Sequence, residues 1–209
     1  MLIHTTSPPS QPTLPPMTTP TALLTSPPPN PKIHLTTVSD NPKNLEGLKR
    51  LNSLLLPVNY GTKFYQDIIR NPDTDGALTR VAMWDGGVGV VGGVRGRWEP
   101  PSSSSSSSLS SSSPTDGTPR GGKIYLMTLC TLSPFRTLGI AAALLQHIVA
   151  VAREWGVEEV YAHVWVENGE ALEWYRRRGF VVEEGVVEGY YRRLRPDGAR
   201  VVRLRMLGE

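Results

Sequence analysis

The chain has 209 residues, 19 of them proline, with 39% hydrophobic and 20% charged residues and a formal net charge of +3. That balance describes an ordinary soluble protein with a mildly basic surface; it demands neither a nucleic-acid nor a membrane partner, and no window approaches the roughly 20 apolar residues that cross a bilayer. The single cysteine, Cys130, excludes an intramolecular disulfide framework and a multi-cysteine metal site and fits a reducing compartment, so the cytoplasm, or the nucleus, is expected.

Residues 1–31 hold ten prolines and no Lys, Arg, Asp or Glu. Such a composition buries too little apolar area to offset its ordering entropy, and it reads as a disordered, partly polyproline-like tail. It matches neither a secretory signal nor a mitochondrial transit peptide, having no arginine and no basic segment ahead of an apolar run. A second stretch, residues 99–119, contains the serine runs 102–108 and 110–113. Structure-like segments flank it closely, so it reads as a low-complexity insertion in a surface loop, where closure entropy grows slowly with length. The rest is long enough for one well-buried core and short for two, so one domain is expected over residues 32–209.

Lys32 to Val38 reads as a strand. Asn41 followed by Pro42 gives a helix cap with proline at the first helical position, and Leu45, Leu48, Leu51 and Leu55 then recur at helical spacing until Pro57. Thr62 is the expected cap of a second, short helix carrying Phe64, Tyr65, Ile68 and Ile69. Leu78 to Trp84 and Val88 to Trp98 read as two strands joined by Asp85-Gly86-Gly87, a hairpin signal. Lys123 to Leu132 reads as a buried strand broken by Pro134; Leu138, Ala142, Leu145, Val149 and Ala152 mark a long amphipathic helix over about 136–155, ended by Gly156. Val157 to Val166 alternates, with Val160, Ala162, Val164 and Val166 on one face and Tyr161, His163 and Trp165 on the other. This is a βαβ unit, so the two strands are expected side by side and parallel. A helix from about Gly169 to Arg178, closed by Gly179, and strands near 180–187 and 200–207 complete the chain.

The sharpest local feature is Arg136-Thr137-Leu138-Gly139-Ile140-Ala141, where a buried strand passes into the long helix. Free N–H groups at a helix N-terminus make an anion site, and Gly139 and Ala141 lack the bulk to keep a pyrophosphate away; from the hexapeptide alone a tight helix start packed on the sheet is the favoured reading. His163 titrates near neutrality and suits the role of proton acceptor from an ammonium, or it fills a sheet face between Tyr161 and Trp165. Cys130 has no partner for a nucleophilic dyad and is expected as a buried thiol on the face opposite Tyr125. Asn168 reads as a helix cap or a cofactor contact. Arg176 to Arg178 and the C-terminal arginines form a basic, solvated surface.

The strand, the R-x-x-G-x-A turn, the helix, the second strand and then Asn168-Gly-Glu-Ala-Leu-Glu-Trp-Tyr-Arg-Arg-Arg-Gly-Phe180 together resemble the GNAT acetyltransferase superfamily. That resemblance implies an α/β (α+β) fold with a mixed, mostly antiparallel sheet, a central splayed parallel strand pair and flanking helices. It also implies acetyl-CoA as cosubstrate, with no metal. The pyrophosphate would lie at Arg136, Thr137, Leu138, Gly139, Ile140 and Ala141, with Asn168 as a further contact, and a backbone N–H near Leu129 would polarise the thioester carbonyl. Leu48-Lys-Arg-Leu-Asn52, Leu56-Pro-Val-Asn-Tyr60, Lys63-Phe-Tyr65, Ile124-Tyr-Leu-Met-Thr-Leu129 and Tyr190-Tyr-Arg-Arg193 are similar to the NatE-type N-terminal acetyltransferases. Here Leu56 stands where that family has phenylalanine.

The narrower resemblance implies acetylation of α-amines, with Leu56, Pro57, Val58, Tyr60, Met127, Tyr190 and Tyr191 holding the substrate's first residues. Tyr125 and His163 would share one water between splayed strands, and Tyr175 would lie near the CoA sulfur, able to protonate the departing thiolate. The implied acceptor is a peptide or nascent protein N-terminus beginning with Met and a hydrophobic residue. The implied partners are the large helical-repeat auxiliary subunit of a NatA-type complex and the ribosome, with no membrane and no specific nucleic acid. Two alternatives stand beside it: a lysine or small-amine acetyltransferase on the same fold, and a non-catalytic docking subunit of a larger acetyltransferase complex.

Overall fold

Asn41 and Pro42 start the first helix as their chemistry dictates. In the computed structural model, which describes residues 30–85, 89–101 and 119–206, the Asn41 side chain accepts from the Lys43 N–H and Pro42 opens α1 (Pro42–Leu55). The second helix, α2 (Thr62–Arg70), departs from expectation: Gly61 occupies the cap with no side-chain hydrogen bond, and Thr62 is already helical. Tyr65 and Ile68 are the residues this helix buries. A π-helical turn, Pro72–Gly76, follows and was not legible in the sequence. The expectations for residues 1–29, the hairpin turn at 86–88, the serine tract at 102–118 and residues 207–209 lie outside the described residues.

Seven strands form one sheet: β1 (Ile33–Thr36), β2 (Thr79–Trp84), β3 (Gly89–Glu99), β4 (Lys123–Thr131), β5 (Glu159–Trp165), β6 (Val181–Val187) and β7 (Ala199–Arg205), in the order β1-β2-β3-β4-β5-β7-β6. All neighbours are antiparallel except β4 and β5. The long helix α3 (Ile140–Glu154) begins four residues later than expected, because Ser133–Phe135 forms a 3-10 turn and Gly139 turns the chain with φ of 83°. The last helix, α4 (Gly169–Arg176), gives way to Gly179 in a left-handed conformation.

Two adjacent glycines let helices close on both sides of the sheet. A Cβ on Gly93 would lie 2.6 Å from Leu48 Cδ1 of α1, and one on Gly92 would lie 2.5 Å from Ile140 Cγ2 of α3. The larger core gathers Ile140, Leu144, Leu145 and Ile148 of α3 with Ile124, Leu126, Val160, Ala162 and Val202 of the sheet, and α4 adds Leu172 and Tyr175. Truncating one such fully buried side chain to alanine costs about 2–5 kcal/mol. A smaller cluster on the other face joins Leu48, Tyr65 and Ile68 to Val81.

Two irregularities position the site. The β4–β5 ladder holds for four pairs, Lys123↔Glu159 to Leu126↔Ala162, and then the strands part although both continue. At the same level β4 carries a bulge: Arg95 pairs with Thr128 and Gly96 with Leu126, so Met127 has no cross-strand partner in β3. One extra residue reverses the alternation of side chains beyond it. Cys130, expected opposite Tyr125, therefore shares its face: it pairs with Gly93, on the α1 side, and its Sγ lies 3.5 Å from Asn52 Oδ1. At the other end of the hairpin Glu99 pairs with Lys123, which places the roots of the serine insertion side by side.

Candidate active site

Strand alternation brings the aromatic residues of β4 and β5 together. Tyr125 pairs with Tyr161 across the parallel ladder, and their rings stack with centroids 5.0 Å apart. His163, two residues along β5, meets the Tyr125 ring edge-on at 5.5 Å. The expected pair is thus adjacent, and Tyr190 joins it: the Tyr190 ring stacks on His163 with centroids 4.2 Å apart, and its hydroxyl is hydrogen-bonded to the Tyr125 hydroxyl.

The electrostatics follow from burial. Desolvation, then the bond to Tyr190, holds the Tyr125 phenol well above its usual range. Burial lowers the His163 pKa from its usual value near 6.5, and the Arg203 charge lowers it further, so the imidazole is neutral at pH 7. His163 Nδ1 is buried with no hydrogen-bond partner among the described residues. A neutral ring with a free nitrogen in an aromatic box is equipped to accept or relay a proton.

Two loops close over this centre. Tyr60, in the α1–α2 loop, donates its hydroxyl to the Met127 carbonyl at 3.0 Å, the group that the bulge turns out of the ladder. Tyr191 donates to the His163 carbonyl at 3.0 Å. Burial pushes both phenols up. Between the loops lies a cavity of about 230 Å³ whose walls include Pro57, Val58, Tyr190 and Tyr191. A second cavity, of about 440 Å³, shares Val58 and Asn59 with it and runs between α1 and α2 past Tyr60 and Tyr65. Among the described residues no carboxylate lines either one.

The opposite side of the splay has the features of an anion site. Gly139 caps α3 without a side-chain hydrogen bond, which leaves the leading N–H groups of Ile140, Ala141 and Ala142 without a side-chain acceptor among the described residues. Thr137 and Gly139 both have positive φ, 65° and 83°, and Thr137 is not a residue that adopts it freely. Arg136 is exposed, its Nε 3.5 Å from the Thr131 carbonyl. These residues fit a pyrophosphate. Tyr175 is buried, edge-on to Trp174 and Phe180 at 5.0 Å each; burial raises its pKa, so the phenol keeps its proton. Leu129 pairs with Val94 and packs on the core, and Leu56 ends α1. Asn168 caps α4, its Oδ1 accepting from the Ala171 N–H at 3.1 Å.

Sequence reasoning missed the support around Tyr125. The Tyr161 hydroxyl donates to Glu99 at 2.8 Å, Arg97 pairs with the same carboxylate at 2.7 Å, and the Arg97 guanidinium lies 5.3 Å from the Tyr125 ring centre. Phe64 lies against Tyr60 with ring centres 4.1 Å apart and planes tilted by 31°, and the buried Arg95 guanidinium lies 4.0 Å from the Phe64 ring centre. Counting alternate positions from His163 points to Tyr161, but no local pattern signals a buried arginine. Among the described residues no group of three or more His, Cys, Asp or Glu is arranged to hold a metal, and no helix is long and apolar enough to cross a membrane.

A splayed parallel pair, an uncapped helix at its wide end and a tyrosine-roofed cleft over a histidine are the architecture of an N-acetyltransferase, and the chain belongs to the acetyltransferase (GNAT) family, whose pattern it matches over residues 45–180. Its relatives narrow the class. The probable N-acetyltransferase san of Drosophila melanogaster is 33% identical over 162 residues, covering 77% of this chain and 75% of the fly protein. N-alpha-acetyltransferase 50 of Danio rerio is 31% identical over 163 residues, 77% of this chain and 82% of the fish protein. Arabidopsis thaliana Naa50, solved in complex with the bisubstrate analogue CoA-Ac-MVNAL, superimposes with a TM-score of 0.66 at 29% identity, over 84% of this chain and 99% of that one.

Proposed function

We propose that this chain is an N-terminal α-amino acetyltransferase that moves an acetyl group from acetyl-CoA directly to the free α-amine of a protein, with Met followed by a hydrophobic residue as the preferred start. The observation that carries the reading is the cleft over Tyr125 and His163. Its walls join Pro57, Val58 and tyrosine side chains to polar residues and to the cations Lys49, Arg192 and Arg193, and among the described residues they hold no carboxylate for a lysine ammonium. They suit a thioether and an aliphatic side chain, while tyrosine hydroxyls can bond peptide backbone. An α-amine also has a lower intrinsic pKa, about 8 against about 10.4 for lysine, and is more readily neutral.

Acetyl-CoA supplies an activated acyl thioester. Arg136, Gly139 and the N–H groups of Ile140 and Ala141 hold its phosphates, and Asn168, although committed to its cap, has an amide NH2 free to assist. His163 takes the proton of the α-ammonium, directly or through a water shared with Tyr125. A backbone N–H near Leu129 stabilises charge that develops on the carbonyl oxygen. As the C–N bond forms and the C–S bond breaks, the Tyr175 phenol would pass its proton to the departing sulfur and be reprotonated by the second proton that leaves the new amide nitrogen, while the first, held by His163, goes to solvent. Cys130 takes no part: buried, its thiol is pushed up to about 12, so the transfer is direct. Work on nascent chains in the cytoplasm, beside the helical-repeat subunit of a NatA-type complex and the ribosome, accords with this chemistry.

A competition among Met-Leu, Ser-Glu and internal-lysine peptides at equal concentration, read as acetylated product, tests the reading. The Met-Leu peptide is expected to dominate; preference for either of the others sinks it.

A further inference from the structure

The loop that carries the tyrosine clasp continues as Arg192-Arg193-Leu194-Arg195. Its three arginines are used differently. Arg195 folds back and donates to the carbonyls of Arg192 and Leu194, at 3.3 and 2.7 Å. Arg192 and Arg193 are exposed and line the cavity of about 230 Å³ opposite Pro57 and Val58. Neither has an ion-pair partner among the described residues. The carboxylates nearest in sequence are turned elsewhere: Asp197 accepts from the Gly189 N–H at 3.2 Å, Glu188 lies beside Gly198, and neither lines the cavity.

Distance along the loop sets what these charges can read. Tyr190 marks the reacting end, stacked on His163 and bonded to Tyr125. Successive Cα atoms are about 3.8 Å apart, so Arg192 and Arg193 sit within roughly 8 and 11 Å of Tyr190, and an extended peptide advances about 3.3 Å per residue. A bound N-terminus that leaves the reacting centre along this loop would bring its third to fifth residues within reach of the two guanidinium groups. Part of the surrounding basic surface is paired with carboxylates: Arg176 and Arg177 share Glu173, and Arg203 pairs with Glu159 and Glu183, while Arg200 is held by the Glu183 and Glu184 carbonyls. Two arginines without a carboxylate partner among the described residues, set in a concave mouth between Pro57, Val58 and the tyrosines, suit a peptide carboxylate that enters the cleft better than a nucleic-acid backbone, which needs a broad open face.

We propose that Arg192 and Arg193 make the mouth of the cleft selective for N-termini that carry Asp or Glu at the third to fifth residue, a reading that rests on the N-terminal acetyltransferase assignment above. Exposed guanidinium–carboxylate pairs are individually weak, so two of them give a preference of about three- to tenfold. It disappears as salt screens the charges.

The test uses the full chain with three peptides that share the start Met-Leu and a common tail and differ only in residues three to five: Glu-Glu-Glu, Gln-Gln-Gln or Lys-Lys-Lys. The expected order of kcat/KM is Glu over Gln over Lys, carried by KM, with the Glu-to-Gln ratio near one in about 0.5 M salt. In the Arg192→Gln/Arg193→Gln double variant the ratio falls to about one at low salt, whereas Arg153→Gln, in the last turn of α3, keeps it. Equal kcat/KM for the Glu and Gln peptides in the parent, or an unchanged ratio in the double variant, overturns the proposal. So does loss of affinity for a ribosomal RNA fragment with the peptide ratio intact, since the arginines would then serve RNA. Absence of turnover on all three peptides alongside turnover of a lysine peptide would instead strike the N-terminal assignment itself.

Discussion

The Tyr190 ring lies 9° from parallel to the His163 imidazole while its hydroxyl meets that of Tyr125, so one residue of the β6–β7 loop touches both groups proposed to handle the proton. Removing the Tyr125 hydroxyl with Tyr125→Phe is expected to lower kcat about 100-fold, with acetyl-CoA affinity nearly unchanged. Tyr190→Phe keeps the stack and loses the bond; it should cost less, and the double variant less than the product of the two. Steady-state kinetics on one Met-Leu peptide decides this, and strict multiplicativity would separate the two hydroxyls.

The His163 pKa is lowered, by burial first and by Arg203 second. The unfolded chain binds a proton near pH 6.5 that the folded ring resists, so neutral imidazole persists to lower pH in the protein than in solution. The acid limb of kcat/KM should therefore have its midpoint below 6.5, and His163→Gln should remove that limb together with most of the rate. By the same linkage His163 contributes stability above the unfolded pKa that is lost as pH falls. A pH profile of parent and variant measures both signs.

Gly139 has φ of 83° at the start of α3. Any side chain there is strained by about 1 kcal/mol, and a carboxylate adds repulsion to phosphate. Calorimetry should show Gly139→Glu binding acetyl-CoA at least tenfold more weakly than the parent, with only a small fall in Tm. Undiminished binding would move the phosphate site elsewhere.

Arg95 is 3% exposed and pairs with Asp75 at 2.9 Å, and two of its nitrogens have no other partner among the described residues. Asp75→Asn leaves a buried guanidinium without its counter-charge, a loss of about 3 kcal/mol. Because Arg95 backs Phe64, which backs Tyr60, peptide KM should rise more than kcat falls. Thermal unfolding and peptide kinetics together test the chain of contacts; an intact KM would confine Arg95 to stability.

The elements of this fold were readable where short-range rules govern them. Asn41-Pro42 announces a cap, and the split of Val160, Ala162 and Val164 from Tyr161 and His163 announces a half-buried strand. The order of the last strands was not readable, because β7 slips between β5 and β6 through pairings between residues forty or so apart, such as Val160↔Leu204. The Met127 bulge was invisible as well: β4 is apolar on both faces, so a reversal of phase leaves no mark on its pattern, and Cys130 was placed on the wrong side. At the site, Tyr125, His163, Tyr60, Tyr190 and Tyr191 do converge. The sequence did not reveal that Tyr190 would stand against both Tyr125 and His163, since that contact is made by a loop folding back across the sheet.

The reversal at Met127 has a practical consequence. It turns the molecule's one thiol inward beside Asn52, 9% exposed and with its ionisation pushed up to about 12. In the native state such a thiol hardly reacts, since the thiolate is the nucleophile. Once the α1 side of the sheet opens, it reverts to an ordinary cysteine and labels freely. The protein thus carries a natural, single-site stopwatch for its own opening, placed on the same face as Tyr125, and the speed at which an alkylating reagent reaches Cys130 reports how often the floor of the cleft comes apart.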